Sequence, residues 1–364
     1  MDFSDRMRRA GEAAGAAGID ALLVTPGPDL FYLTGYAAIA LERLTCLVLP
    51  ADGDPVLVVP TLERPAAEAS PVPGLGIEVL DWPETADPYA LVASRLGAAR
   101  RTAVDDHMHA AKVLALRAAL PGAEQVLAGP VLGPLRARKS AAEVAALRAA
   151  GEAIDRVHRR MAEFLRPGRT EREVGRDIAE AIVGAGHVTV EFVIVGSGPN
   201  GASPHHELSD RVLRAGETVV VDIGGTTAAG YCSDSTRTYA LGGPPADFAD
   251  YYPVLQAAQA AAVDAVRPGV SAESIDAAAR DVIAAAGYGE AFVHRTGHGI
   301  GLEAHEDPYI VAGNDLPLEP GMAFSVEPGI YLPGRHGARI EDIVVVTEDG
   351  VERLNRTTRD LVVL

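Results

Sequence analysis

The feature that most constrains this chain is an internal repeat. LRPGRTEREV (165–174) and VRPGVSAESI (266–275) share Arg-Pro-Gly followed by Thr or Ser at an offset of 101 residues, and Gly186 and Gly287 keep that offset. Each reads as a loop feeding a capped helix that ends at glycine. Thr170 with Glu173 is a capping box, and Ser271 is expected to open its helix in the same manner. Further on, LRAGETVVVDIG (213–224) and LEPGMAFSVEPG (318–329) share Leu, Gly, an apolar strand, a carboxylate and Gly at an offset of 105. Each reads as a strand delivering an acid to a turn. A chain built this way folds as two αβ halves related by a pseudo-twofold, with Asp222 and Glu327 in equivalent places.

The acids come in pairs. VVVDIGGTTAAGYCSDSTRTYAL puts Asp222 at the end of an apolar strand and Asp234 near the start of its hairpin partner, and FSVEPGIYLPGRHGARIEDIVVV does the same with Glu327 and Glu341. A lone Asp at a strand end is ordinarily a turn or cap residue. Four acids aimed at one spot are different, because ionised groups flanked by Val and Ile are costly to bury unless protonated or neutralised by cations. Two divalent metal ions would supply that neutralisation. RTGHGIGLEAHEDP (295–308) adds His298, held between glycines that allow close backbone approach. An all-oxygen cage favours Mg or Ca, whereas one imidazole among carboxylates points to Mn or Co, with Zn or Fe as alternatives. Cys232 shares strand parity with Asp234, but a thiolate does not suit an oxygen-rich set and is assigned to packing. Arg237 is expected to be a structural ion-pair partner. Arg335 and His336, between Glu327 and Glu341, could hold an anionic group or line a solvated loop.

The rest of the chain frames this region. Residues 1–130 alternate helix and strand signals, including ALLVT (21–25), a hairpin around Asp52-Gly53, EVLDW (78–82) and TAVDD (102–106), and read as an α/β domain. GPVLGPLRARKS (129–140), with its Gly-Pro dipeptides, places a linker at 131–139, followed by a second domain over 140–364. Ser140 with Glu143 opens a helix predicted to run to about Leu165. A net charge of −18 disfavours nucleic acid and anionic lipid as partners. Two cysteines make no disulfide framework, and with no apolar leader and no apolar run of membrane-spanning length the expected location is cytoplasmic.

Taken together, VDIGG…GYCSDSTRT, GHGIGLEAHEDP, EPGIY and RIED resemble the metal-binding motifs of the Xaa-Pro peptidases, prolidase and aminopeptidase P, in the superfamily of methionine aminopeptidase and creatinase. The motifs fall in the family's order across 140–364, and YLTGY (32–36) with the hairpin after it is similar to the creatinase-like N-terminal domain. The resemblance implies the pita-bread fold. It also implies a dinuclear site with Asp222, Asp234, His298, Glu327 and Glu341 as ligands, Asp234 and Glu341 bridging both ions. His205 in SPHHE matches a histidine beside the metals, His206 being the weaker choice, and His305 matches a substrate-contacting histidine. His294 and Arg339 match recurring neighbours, the arginine orienting carboxylates. One departure is the Asp222-to-Asp234 spacing of 12 residues, one more than in many relatives, as a hairpin-loop insertion would produce. The implied activity is hydrolysis of the bond between an N-terminal residue and proline by a homodimer. Glu327 would shuttle the proton, and His305 would stabilise the oxyanion. The expected substrate is a dipeptide or short peptide, with the dipeptidase preferred over aminopeptidase P. A silent binding protein or a metal-independent creatinase on the same scaffold is disfavoured, because all five ligand positions are filled, and a lyase that uses its metal on other substrates stays as a minor alternative.

Overall fold

Alternating apolar strands and capped helices in residues 1–136 assemble a single six-stranded mixed sheet. Its strands are β1 (Ala21–Val24), β2 (Cys46–Pro50), β3 (Val56–Pro60), β4 (Glu78–Trp82), β5 (Arg101–Val104) and β6 (Glu124–Leu127), in the order β4-β3-β2-β1-β5-β6. β1, β5 and β6 run parallel, as do β3 and β4, while β2 is antiparallel to both its neighbours. The Asp52-Gly53 turn makes the β2–β3 hairpin as its dipeptide predicts. Leu23, Val48, Val58, Trp82 and Leu116 are among the buried core. Residues 129–137, which contain both Gly-Pro dipeptides, form a helix. The computed structural model describes residues 1–364, and its two compact units are Met1–Arg136 and Ala137–Leu364.

The second unit carries the repeat. Its strands are β7 (His187–Ser197), β8 (Thr218–Thr227), β9 (Cys232–Ala240), β10 (Gly297–Gly299), β11 (Glu306–Ile310), β12 (Ala323–Val326), β13 (Gly329–Leu332), β14 (His336–Arg339), β15 (Asp342–Val346), β16 (Val351–Arg353) and β17 (Val362–Val363). They form a four-stranded sheet β17-β9-β8-β7, a five-stranded sheet β11-β10-β12-β15-β16 and the β13–β14 ribbon. Helices Ala141–His158 and Glu171–Gly184 pack Ile154, Val157, Val174 and Ile178 on Val195, Val219, Val221 and Ile223. In the other half, Phe248–Ala265 and Ala272–Ala285 pack Leu255, Ala258, Ile275 and Ala279 on Phe324, Val326 and Val344.

The two halves repeat bond for bond at their helix entries. Gly168 N–H donates to the Leu213 carbonyl at 2.9 Å and Gly269 N–H to the Leu318 carbonyl at 2.8 Å. Glu171 donates to Arg211 and Ala272 to Leu316 in the same pattern, and the isolated bridges Thr170–Val212 and Ser271–Pro317 correspond. Their capping differs. Ser140 and Thr170 both complete capping boxes with Glu143 and Glu173, but the Ser271 side chain makes no cap hydrogen bond, contrary to expectation. The Ser274 N–H, which a cap would direct to the Ser271 hydroxyl, bonds the Ser271 carbonyl at 3.0 Å instead, and the Ser274 hydroxyl donates to the same oxygen at 2.6 Å.

Two further sequence expectations give way. The helix from Ser140 stops at His158, and a separate turn covers Met161–Phe164. The apolar spacing Ile154, Val157, Met161, Phe164 continues unbroken, but Arg160 N–H bonds the Val157 carbonyl, three residues back, and tightens the chain out of the helical ladder. Asp222 does not end its strand either: β8 continues through Gly224 to Thr227. Gly224 is there for close approach, since a Cβ would fall 2.6 Å from the Phe192 ring and from the Ser233 carbonyl oxygen.

Candidate metal centre

Each hairpin presents its acids differently. β8 and β9 pair Asp222 with Thr236 and Gly224 with Asp234, so one continuous antiparallel ladder carries Asp222 and Asp234. In the other half the ladder is interrupted: β12–β15 ends at Val326–Asp342, β13–β14 begins at Gly329–Arg339, and Glu327 and Glu341 fall in the gap. There the backbone is held from outside the hairpin. Glu327 N–H donates to the Thr296 carbonyl at 2.8 Å, and Glu341 N–H to the Thr236 carbonyl at 3.1 Å. The second of these bonds ties the two halves together beneath the acids.

His298 enters on β10 between glycines with no room for side chains: a Cβ at Gly297 would land on the Ser325 carbonyl and one at Gly299 on that of Asp307. The ring Nδ1–H donates to the Gly299 carbonyl at 3.1 Å. That bond assigns the tautomer and leaves the Nε2 lone pair 3.1 Å from Glu327 Oε1 and 3.7 Å from Asp234 Oδ2. A lone pair facing carboxylate oxygens is repulsive unless a proton or cation stands between them.

The electrostatics point the same way. Burial, then the charges of Glu341, Asp222 and Glu327, push the Asp234 carboxyl well above its ordinary range. Glu341 is raised by burial and by Glu327 and Asp222. Burial opposes ionisation of Glu327 as well, but with a proton on His298 Nε2 the resulting hydrogen bond and positive charge, with His294 and Arg339, outweigh it and hold this carboxyl down at about 2. Asp222 Oδ2 accepts from Arg339 Nη2 at 2.6 Å and Glu341 Oε2 from Thr236 Oγ1 at 2.7 Å. The other oxygens, Asp222 Oδ1 and Glu341 Oε1, are buried with no hydrogen-bond partner, and ligand atoms of Asp234, His298 and Glu341 all lie within 4.8 Å of one another. Orphaned oxygens, carboxyls that resist ionisation and an imidazole lone pair make a donor set that fits divalent cations.

Asp222, Asp234, His298, Glu327 and Glu341 line one cleft of about 600 Å3, together with His205, His294, His305 and Arg339. The His305 ring packs on that of His298 with centroids 3.9 Å apart. Burial, then the neighbouring His298, lowers the His305 imidazole to about 4. His206 turns away to Glu171, 2.7 Å distant. Arg335 and His336 do not line the cleft. Both bind Asp247, and His336 Nδ1 is 2.9 Å from the Tyr251 hydroxyl. Arg237 is a buried partner of Asp342, and burial pushes the Cys232 thiol up to about 12, in keeping with packing.

Sequence reasoning missed Tyr331, Ser325, Arg295, Phe192 and Ile194. Arg339 Nη1 donates to the Tyr331 hydroxyl at 2.8 Å, and that hydroxyl donates to His294 Nε2 at 2.8 Å. His294 Nδ1–H in turn donates to the Arg295 carbonyl at 2.7 Å. A continuous chain thus runs from Asp222 through Arg339 and Tyr331 to His294, with both His294 nitrogens engaged. Ser325 Oγ accepts from His298 N–H at 3.0 Å and donates to Glu327 Oε1 at 3.1 Å. Arg295 faces the cleft with its guanidinium 4.4 Å from the Tyr309 ring centroid, and Phe192 and Ile194 supply an apolar wall. Tyr331 and Arg295 stand inside the motifs EPGIY and RTGHG, but only the fold shows what they touch.

The metallopeptidase family M24 profile matches residues 145–348, and the creatinase/prolidase N-terminal domain profile matches residues 6–138. A probable dipeptidase PepE of Mycobacterium tuberculosis is 59% identical over 363 residues, covering 100% of this chain and 96% of that protein. An Xaa-Pro dipeptidase of Lactobacillus delbrueckii subsp. lactis is 38% identical over 357 residues, 95% of each chain. The crystal structure of dipeptidase PepE from Mycobacterium ulcerans superposes with a TM-score of 0.95 at 58% identity, covering 100% of this chain and 99% of that one.

Proposed function

The chain belongs to metallopeptidase family M24, and on that premise we propose that it is an Xaa-Pro dipeptidase, hydrolysing the bond between an N-terminal residue and a C-terminal proline. The observation that carries this reading is the convergence of Asp222 and Asp234 from one half, Glu327 and Glu341 from the other, and His298 on a single cleft. We assign the chemistry to residues 140–364, joined through 131–139 to a creatinase-like domain over 1–130. Asp222, Asp234, His298, Glu327 and Glu341 would hold two divalent ions, Mn or Co before Zn or Fe, with Asp234 and Glu341 shared between them.

When bound, such a pair supplies Lewis acidity and lowers the pKa of a water to near neutrality. The protein's own groups do the rest. Glu327, braced by Ser325, takes the proton of the attacking water and returns it to the prolyl nitrogen. That nitrogen has no hydrogen of its own and leaves only once protonated. His305 donates to the carbonyl oxygen as it becomes anionic, and His205 flanks the substrate on another wall of the cleft. Arg339, held by Tyr331 and His294, fixes the Asp222 carboxylate.

The preference for dipeptides rests on Arg295. It is a cleft cation with no carboxylate partner in the chain, available to the free carboxylate of a terminal proline. After loading with Mn or Co, an Xaa-Pro dipeptide should be turned over faster than the matching Xaa-Pro-Yaa tripeptide. The reverse order would make the enzyme an aminopeptidase P, and failure to release proline from either would return the lyase. Arg295→Met should raise KM for the dipeptide more than for the tripeptide. We further propose a cytoplasmic homodimer. The free, buried thiols Cys46 and Cys232 suit a reducing compartment, and no helix is long and apolar enough to cross a membrane. Light scattering and cell fractionation test both points.

A further inference from the structure

His305 has no hydrogen-bond partner within the chain for its ring, which only packs on His298. Its placement therefore depends on the backbone of the 300–306 segment. That segment is anchored by the next residue, Glu306, which opens β11 opposite Gly299 and so lies beside the strand carrying His298. The Glu306 carboxylate folds back under the segment: a Cβ at Gly301 would be 2.5 Å from Glu306 Oε1. Across from it, Lys139 Nζ donates to Glu306 Oε1 at 2.7 Å, in an ion pair with side chains only 1% and 8% exposed. Lys139 is itself fixed, because its N–H donates to the Gly321 carbonyl at 2.9 Å and a Cβ at Gly321 would come 2.6 Å from the Lys139 oxygen. A fully buried lysine and glutamate are costly to retain for stability alone, since two apolar residues of the same volume commonly serve as well.

The geometry points to Lys139 as a positioning residue of the hydrolysis, acting through Glu306 to hold His305 over His298. This rests on the reading of His305 as the group that meets the substrate carbonyl. Lys139 does not touch the cleft, and it acts on rate rather than on metal affinity or substrate binding.

Removing one partner leaves a buried unpaired charge and threatens the fold, so the informative variant replaces both, Lys139→Met with Glu306→Met. It should fold and titrate with Mn at the wild-type midpoint. Its kcat for an Xaa-Pro dipeptide should fall about 10- to 100-fold with KM moved less than about threefold, the signature of a misplaced group that acts at the transition state. In the metal-free chain the His305 Cε1–H resonance, assigned with His305→Asn, should broaden or split in this variant and stay single in the wild type. If the double variant does not fold, Lys139→Gln, which keeps a donor on a shorter arm, is read by the same two measurements. Wild-type kcat with an unmoved His305 signal overturns the positioning role. A wild type that releases no proline sinks the dipeptidase reading instead, and the His305 resonance then decides this inference alone.

Discussion

The two hairpins that carry the acids descend from one repeat and solve the same problem in different ways. In the first, β8 and β9 pair without interruption, and Asp222 and Asp234 reach the cleft because the ladder places them on one face. In the second, the ladder stops at Val326–Asp342 and resumes at Gly329–Arg339, and the acids stand in the gap. The interruption frees Glu327 and Glu341 from strand geometry, so that Thr296, Ser325 and Thr236 can aim them. It also brings in Arg339 and Tyr331, an arginine and a tyrosine where the offset of 105 places Asp234 and Thr226 in the first half. The first hairpin is thus an uninterrupted shelf, and the second carries the groups to which we assign orientation and proton transfer. A pseudo-symmetric cage with asymmetric chemistry is the consequence.

That contrast can be broken at several levels. If the cage is shared, Asp234→Ala and Glu341→Ala should be equally severe, each losing bound metal and at least about 10³-fold in proline release, as expected when charge stabilisation worth several kcal/mol is removed. Metal analysis alongside turnover checks this, and an active variant of either kind would end the idea of a joint site. Next, Tyr331→Phe should keep its metal while losing roughly tenfold in kcat, the cost of a buried hydrogen bond at the site. Thr226, which stands at the equivalent position by the offset of 105, bonds Glu191 outside the main cleft, so Thr226→Val should leave kcat unchanged. Equal effects at the two positions would mean the halves are not functionally distinct. The smallest effects concern the helix caps. Thr170→Ala should cost about 1 kcal/mol of unfolding free energy and Ser271→Ala only a few tenths, because only Thr170 caps with its side chain. Chemical denaturation resolves the two.

Much of the architecture was legible because it is written locally. The offsets of 101 and 105 reappear as matched hydrogen bonds, and the Ser140 and Thr170 boxes close as their spacing implies. What was illegible depends on distant partners. Glycines at 224 and 225 read as a turn after Asp222, whereas the fold uses Gly224 to admit Phe192 from β7. The apolar period through Phe164 gave no stop signal for the helix that ends at His158. His294 matched only as an active-site neighbour, and the fold shows its nitrogens occupied by Tyr331 and the Arg295 carbonyl. Arg335 and His336 lie close in sequence to Glu327 and Glu341, yet they answer to Asp247. Motif spacing identifies which side chains a site can contain, and only the tertiary contacts show what each is free to do.

The central claim, that acids from both halves jointly hold a cation pair, is tested most directly by calorimetric titration of the metal-free chain with Mn2+ in buffers of different ionisation enthalpy. Burial and mutual repulsion raise Asp234 and Glu341, one acid from each half, so that their protonated forms are favoured in the metal-free chain and a cation that binds the carboxylates competes with protons. The account predicts two ions bound per chain with net proton release. A stoichiometry of one with no protons released, in a chain that nonetheless frees proline from a dipeptide, would contradict it.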